Sequence, residues 1–127
     1  MGATALVNED IAAGRAVVEA LDSGGFPVAA AFWLYDSERD VWKLWIGTPR
    51  AVKDLQKAFM KVGEILSSTT DREVLDLSRI RLVTPDDPMV RAIGSVIHMK
   101  GLSDVRLKSN LANGIYIEDA LIYRTAA

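Results

Sequence analysis

Two dense apolar runs flanking a charged cluster constrain this chain more than any other feature. Phe26 to Tyr35 is almost wholly apolar, the cluster Asp36, Glu38, Arg39 and Asp40 follows, and Val41 to Thr48 then alternates Trp42, Leu44 and Ile46 with Lys43 and Trp45. Alternation with a period of two is the pattern of β-strands, and a short polar break between two such runs is the pattern of a hairpin loop. The first strand alternates Phe32 and Leu34 with Trp33 and Tyr35, so neither of its faces is polar. A sheet built on this hairpin has more apolar surface than one layer of helices covers, and Trp33, Tyr35 and Trp45 are the residues expected to be left over.

The remaining elements follow from start and stop signals. Asn8 can cap a first helix, with Glu9 and Asp10 in its first turn, Ile11, Val17, Val18 and Leu21 along one face, and Gly24 and Gly25 at its end. Thr48 followed by Pro49 starts a second helix, in which Val52, Leu55, Phe59, Val62 and Leu66 recur at three and four residues while Lys53, Lys57 and Lys61 line another face. After a loop at Ser67 to Asp71, Ile80 and Leu82 alternate with Arg79 and Arg81 in a short strand. Asp87 and Pro88 begin a third helix carrying Met89, Val90, Ile93 and Ile97, with Gly101 beyond it. Val105 to Leu111 and Ile115 to Tyr123 flank Asn113-Gly114, the pair best suited to the positive φ angles of a type I′ turn. The order αββαβαββ has no repeating βα unit. It predicts one α+β domain over residues 1–127, a mainly antiparallel sheet of about five strands with three helices packed on one side.

Composition removes whole classes of chemistry. With no cysteine, the chain can form no disulfide, thiolate nucleophile or Cys-ligated metal site. A single histidine, His98, cannot build a histidine metal cluster and reads as a helix-end residue. The glycines do not match a phosphate-binding loop. No cofactor, metal or catalytic constellation is therefore expected. A net charge of -2 gives no overall attraction to nucleic acid or anionic lipid. No apolar run approaches the roughly 20 residues of a membrane span, and Met1 to Asn8 lacks a basic stretch followed by an apolar core. The expectation is a cytoplasmic protein without a membrane partner.

Acidic pairs at Asp86-Asp87 and Glu118-Asp119 are the remaining candidates for chemistry. The first pair suits helix capping. For the second, a two-residue turn at Asn113-Gly114 sets Lys108 opposite Asp119 as an ion pair and Ser109 opposite Glu118. That register also puts Glu118 on the face of Val105, Leu107, Leu111, Tyr116, Ala120 and Ile122, where a carboxylate needs a partner or acts as an acid or base.

The leading functional expectation is an interaction or regulatory domain forming a homo-oligomer or binding a protein partner through an aromatic or sheet-edge surface. Trp33, Tyr35 and Trp45 are its contacts, and Arg79, Arg81, Arg106 and Lys108 its basic rim. A nucleic-acid-binding domain would use the same residues, with bases stacked on the aromatic rings and phosphates on the cations. A small hydrolase using Glu118 is a third reading. The segments Ala31-Phe32-Trp33-Leu34-Tyr35, Leu44-Trp45-Ile46-Gly47-Thr48-Pro49, Pro85-Asp86-Asp87-Pro88 and Ile117-Glu118-Asp119-Ala120-Leu121-Ile122-Tyr123-Arg124 together resemble small bacterial proteins of unknown function. That resemblance implies a bacterial cytoplasmic origin and no particular activity.

Overall fold

A computed structural model describes residues 5–68, 75–99 and 101–125. The first helix, α1 (Asn8–Ser23), starts one residue earlier than its polar signal suggests, with Val7 in the cap position and Asn8 as the first helical residue. Gly24 ends it. Strands β1 (Ala30–Asp36) and β2 (Val41–Gly47) form the expected hairpin, with Phe32 opposite Trp45 and Trp33 opposite Leu44.

The helix expected after Thr48-Pro49 is two helices. Thr48 Oγ accepts the Arg50 N–H at 3.2 Å, opening α2 (Arg50–Lys53). Asp54 then turns extended, and its carboxylate caps α3 (Leu55–Ser67) by accepting the Lys57 N–H. A side chain that can satisfy an orphan donor lets the helix restart in a new direction. The break leaves Val52 and Leu55 exposed, although both fit the apolar period. The loop expected at Ser67 to Asp71 begins at Ser68 and otherwise lies outside the described residues.

Strand β3 (Ile80–Val83) lies parallel to β2. Helix α4 (Pro88–Val96) is capped by Asp87, which accepts the Met89 N–H at 2.8 Å, with proline in its first turn. His98 is exposed beyond the end of α4. Strands β4 (Val105–Ala112) and β5 (Ile115–Arg124) close the chain as a hairpin whose turn residues Asn113 and Gly114 have φ of 49° and 76°. These positive angles are the type I′ geometry the Asn-Gly pair favours.

The sheet order is β3-β2-β1-β5-β4, antiparallel except at β2/β3. The fold is therefore α+β with a mostly antiparallel five-stranded sheet. The helices are not confined to one side. Val17, Val18 and Leu21 of α1 and Ala58, Val62 and Leu66 of α3 pack with Trp33, Leu44 and Ile46 on one face. Val90, Ala92 and Ile93 of α4 pack with Phe32, Val83, Leu107, Ile117 and Ile122 on the other. This corrects the one-sided arrangement, and its cause is the apolar alternation itself, because a sheet with two greasy faces is stable only with cover on both.

Candidate functional site

The pairing register builds one cross-strand row on the α4 side of the sheet. Ile122 pairs with Phe32, Phe32 with Trp45, and Trp45 with Arg81. The Phe32 and Trp45 rings stack at 5.7 Å with an interplanar angle of 22°, and the Arg81 guanidinium lies 4.7 Å above the indole. Burial falls along this row: Phe32 is fully buried, Trp45 partly and Arg81 exposed. The gradient follows from helix length, since nine residues make a rod of only about 14 Å. Helix α4 covers Val83 and Gly47 at one end of this face and leaves the end toward the β1–β2 turn open.

The open end is a depression of about 740 Å³. Leu34, Trp45, Arg81 and Met89 line it together with Leu55 and Phe59 of α3, the β1–β2 turn, and Tyr116 and Glu118 of β5. Several of its charges are already engaged. Arg39 pairs with Asp36 at 3.2 Å, and Lys43 donates to the Ser78 carbonyl at 2.7 Å. Among the described residues, Glu38, Lys43, Arg81 and Glu118 of this lining take part in no ion pair.

Glu118 reaches this depression through a break in strand alternation. Lys108 stands opposite Asp119 and Asn110 opposite Ile117, as the two-residue turn predicts, while Ser109 between them has φ of 47°. Leu107 and Ala112 of β4, and Ala120 and Ile117 of β5, all reach the α4-side core, so inward positions switch parity at Ser109 and Glu118. Glu118 is therefore exposed instead of sharing an apolar face. Beyond the break, the directly paired Leu111 and Tyr116 are 71% and 59% exposed, an outward apolar pair at the hairpin tip.

The structure separates the other residues expected to act together. Trp33 is fully buried on the α1 side, donating Nε1–H to the Tyr123 hydroxyl at 3.1 Å, and Tyr123 donates to the Ile11 carbonyl. Burial pushes the Tyr123 hydroxyl up to about 12. Gly14 makes this approach possible: a Cβ there would meet Trp33 Nε1 at 2.5 Å and the Tyr123 hydroxyl at 2.6 Å. Tyr35 is also buried on that side, bonded to Asp40 at 2.7 Å. Trp33 is enclosed because the helix layer that the sequence leaves unplaced falls over it, whereas Tyr35, though buried, also borders the open depression.

The basic rim is divided in the same way. Arg79 lies over Trp33 and grips Asp10 through two hydrogen bonds of 2.9 and 3.2 Å. Arg106 takes Asp119 bidentately at 2.7 and 2.8 Å, so Asp119 finds its partner diagonally and not in Lys108. The hydrogen bonds that Arg106 donates to Asp119 raise its pKa. Lys108 is exposed on the edge strand β4. Of the residues expected at a shared surface, Tyr35, Trp45 and Arg81 border one depression. Tyr116, Leu34 and Met89 complete it. A Tyr116–Leu111 pair beside an Asn-Gly turn is legible from the turn register, whereas Met89 carries no signal distinguishing it from core.

Among the described residues no cluster of three metal-ligating side chains occurs, and no helix is long and apolar enough to cross a membrane. Comparison with protein families, curated proteins and solved structures found no match.

Proposed function

We propose that this chain is a cytoplasmic interaction or regulatory domain that self-associates through the open α4 side of its sheet. The observation that carries this reading is Trp45, a large ring stacked between Phe32 of the core and the Arg81 guanidinium, and bordering an open depression of mixed apolar and charged lining. Tryptophan, tyrosine and arginine are the side chains that most often dominate binding energy at interfaces. Here Trp45, Tyr116 and Arg81 line one hollow. The adjacent exposed pair Leu111 and Tyr116 extends the apolar surface beyond it. The lack of cysteine suits a reducing compartment.

The nucleic-acid reading has less support. It requires aromatic rings and cations on one face, but Trp33, Arg79 and Arg106 lie on the α1 side and the two arginines are held by carboxylates. Glu118 is exposed and forms no hydrogen bond among the described residues, so the reading assigns it no acid or base role.

Light scattering across a concentration series tests the proposal. Wild type should reach dimer mass, and Trp45→Ala should remain monomeric at the same concentration with its fold intact. A wild-type protein that stays monomeric throughout would remove the reading.

A further inference from the structure

Ile80, Arg81 and Leu82 are consecutive in β3, so their side chains point alternately to opposite faces of the sheet. Ile80 and Leu82 pack in the α1-side core and Arg81 lies over Trp45 on the α4 side, yet the one depression touches all three. A hollow that reaches both faces of a strand runs along its edge, and β3 is an outer strand of the sheet. The exposed Leu55 and Phe59 of α3 wall it on one side, Trp45 and Met89 on the other. The strand pairing fixes which peptide groups face outward. Thr48 N–H donates to the Val83 carbonyl at 2.9 Å, so Val83 and Arg81 turn their backbone groups toward β2, while Leu82 and Ile80 turn theirs away. The Ile80 N–H is taken by the Leu77 carbonyl. Among the described residues, the Ile80 carbonyl and the Leu82 N–H and carbonyl have no backbone partner.

We infer that the outer edge of β3 binds an extended segment of a partner protein as an antiparallel sixth strand, with an acidic residue opposite Arg81 and an apolar residue on each side of it. Strand addition takes its affinity from main-chain hydrogen bonds and its specificity from alternate side chains. The residues paired with Ile80 and Leu82 meet the free backbone groups and turn their side chains to the face walled by Leu55 and Phe59. The residue between them prolongs the row Ile122, Phe32, Trp45 and Arg81, which ends at a cation with no ionic partner among the described residues. A carboxylate is the favourable cross-strand neighbour for that cation. A second copy offers no such strand: the outer strands of the sheet are β3 and β4, and neither Ile80–Val83 nor Val105–Ala112 contains an acidic residue. The inference therefore goes beyond the self-association proposed above, which uses the open sheet face, and stands without it.

Amide exchange and a peptide titration of the full chain, both read by NMR, test this. In the free protein the Leu82 amide should exchange faster than those of Arg81 and Val83, since only the latter two are bonded to β2. A Leu82 amide as protected as its neighbours would show a covered edge and overturn the inference. The probe is a short peptide with a central glutamate, a valine on each side and threonine at the outer positions. Its binding should shift the Leu82 amide signal and slow its exchange. N-methylation of both valines should weaken binding about tenfold or more, whereas N-methylation of the glutamate, whose N–H points away from β3, should be tolerated. A central lysine should bind wild type about tenfold more weakly and regain that loss on Arg81→Glu. Equal binding of the valine-methylated peptide, or no binding of the glutamate peptide up to about 1 mM, would overturn strand addition at this edge. Neither result bears on self-association, which light scattering reads without peptide.

Discussion

Trp33 and Trp45 lie on adjacent strands, each beneath an arginine at nearly the same distance, 4.8 Å from Arg79 and 4.7 Å from Arg81. On the α1 side two helices close over Trp33, its indole N–H is hydrogen-bonded to Tyr123, and its arginine is tied to Asp10. On the α4 side one short helix stops short of Trp45, and its arginine has no ionic partner among the described residues. Ring and cation are the same in both places. The difference lies in the cover, and it turns one tryptophan into core and leaves the other available to a second molecule.

Truncating the two rings should break the symmetry most visibly. Trp33→Ala should cost about 3–5 kcal/mol of stability, the range for removing a buried aromatic. Trp45→Ala should cost only about 1–2 kcal/mol, mostly lost stacking and partial burial. Urea denaturation of both variants measures the contrast, and equal losses would erase the distinction between the faces.

Alkaline titration probes the sealed side alone. Tyr123 ionises near 10 in an unfolded chain and at about 12 when folded, mainly because burial disfavours the phenolate. Its raised folded value leaves stability intact below pH 10 and erodes it as pH climbs toward 12. At about 1.4 kcal/mol per unit, the loss should total about 2–3 kcal/mol. Denaturation midpoints between pH 9 and about 12 should fall more steeply for wild type than for Tyr123→Phe. Parallel slopes would show that the hydroxyl is not in the buried network described here.

The smallest contrast concerns the two cations. Arg79→Gln should cost about 1 kcal/mol, because it frees Asp10 from a two-point grip that is partly screened by solvent. Arg81→Gln should stay within about 0.5 kcal/mol in the monomer. Thermal melts at low protein concentration separate these values.

The sequence made much of this fold legible, through local chemistry. Asn113-Gly114 has the φ angles its residues favour, Asp87-Pro88 caps α4, and the aromatic alternation around Asp36 to Asp40 becomes a hairpin. Helix placement was not legible, because an apolar period says which side of a helix is buried and not which face of the sheet receives it. That gap put the enclosed Trp33 among the expected contacts. Ser109 hid a second feature: a serine at positive φ has no clear sequence signature, yet the inward positions of the hairpin switch parity there, so Ile117 and Ala112 are core and Glu118 is exposed. Trp45 and Arg81 could be named from sequence, while their partnership required the parallel pairing of β2 with β3.

Fluorine NMR of protein carrying 5-fluorotryptophan at its three tryptophans tests the central claim directly, because it reads each ring as the sample is diluted. The Trp45 resonance should shift with concentration while those of Trp33 and Trp42 stay fixed. A Trp45 signal that does not move across the dilution series would contradict the assignment of this face to self-association.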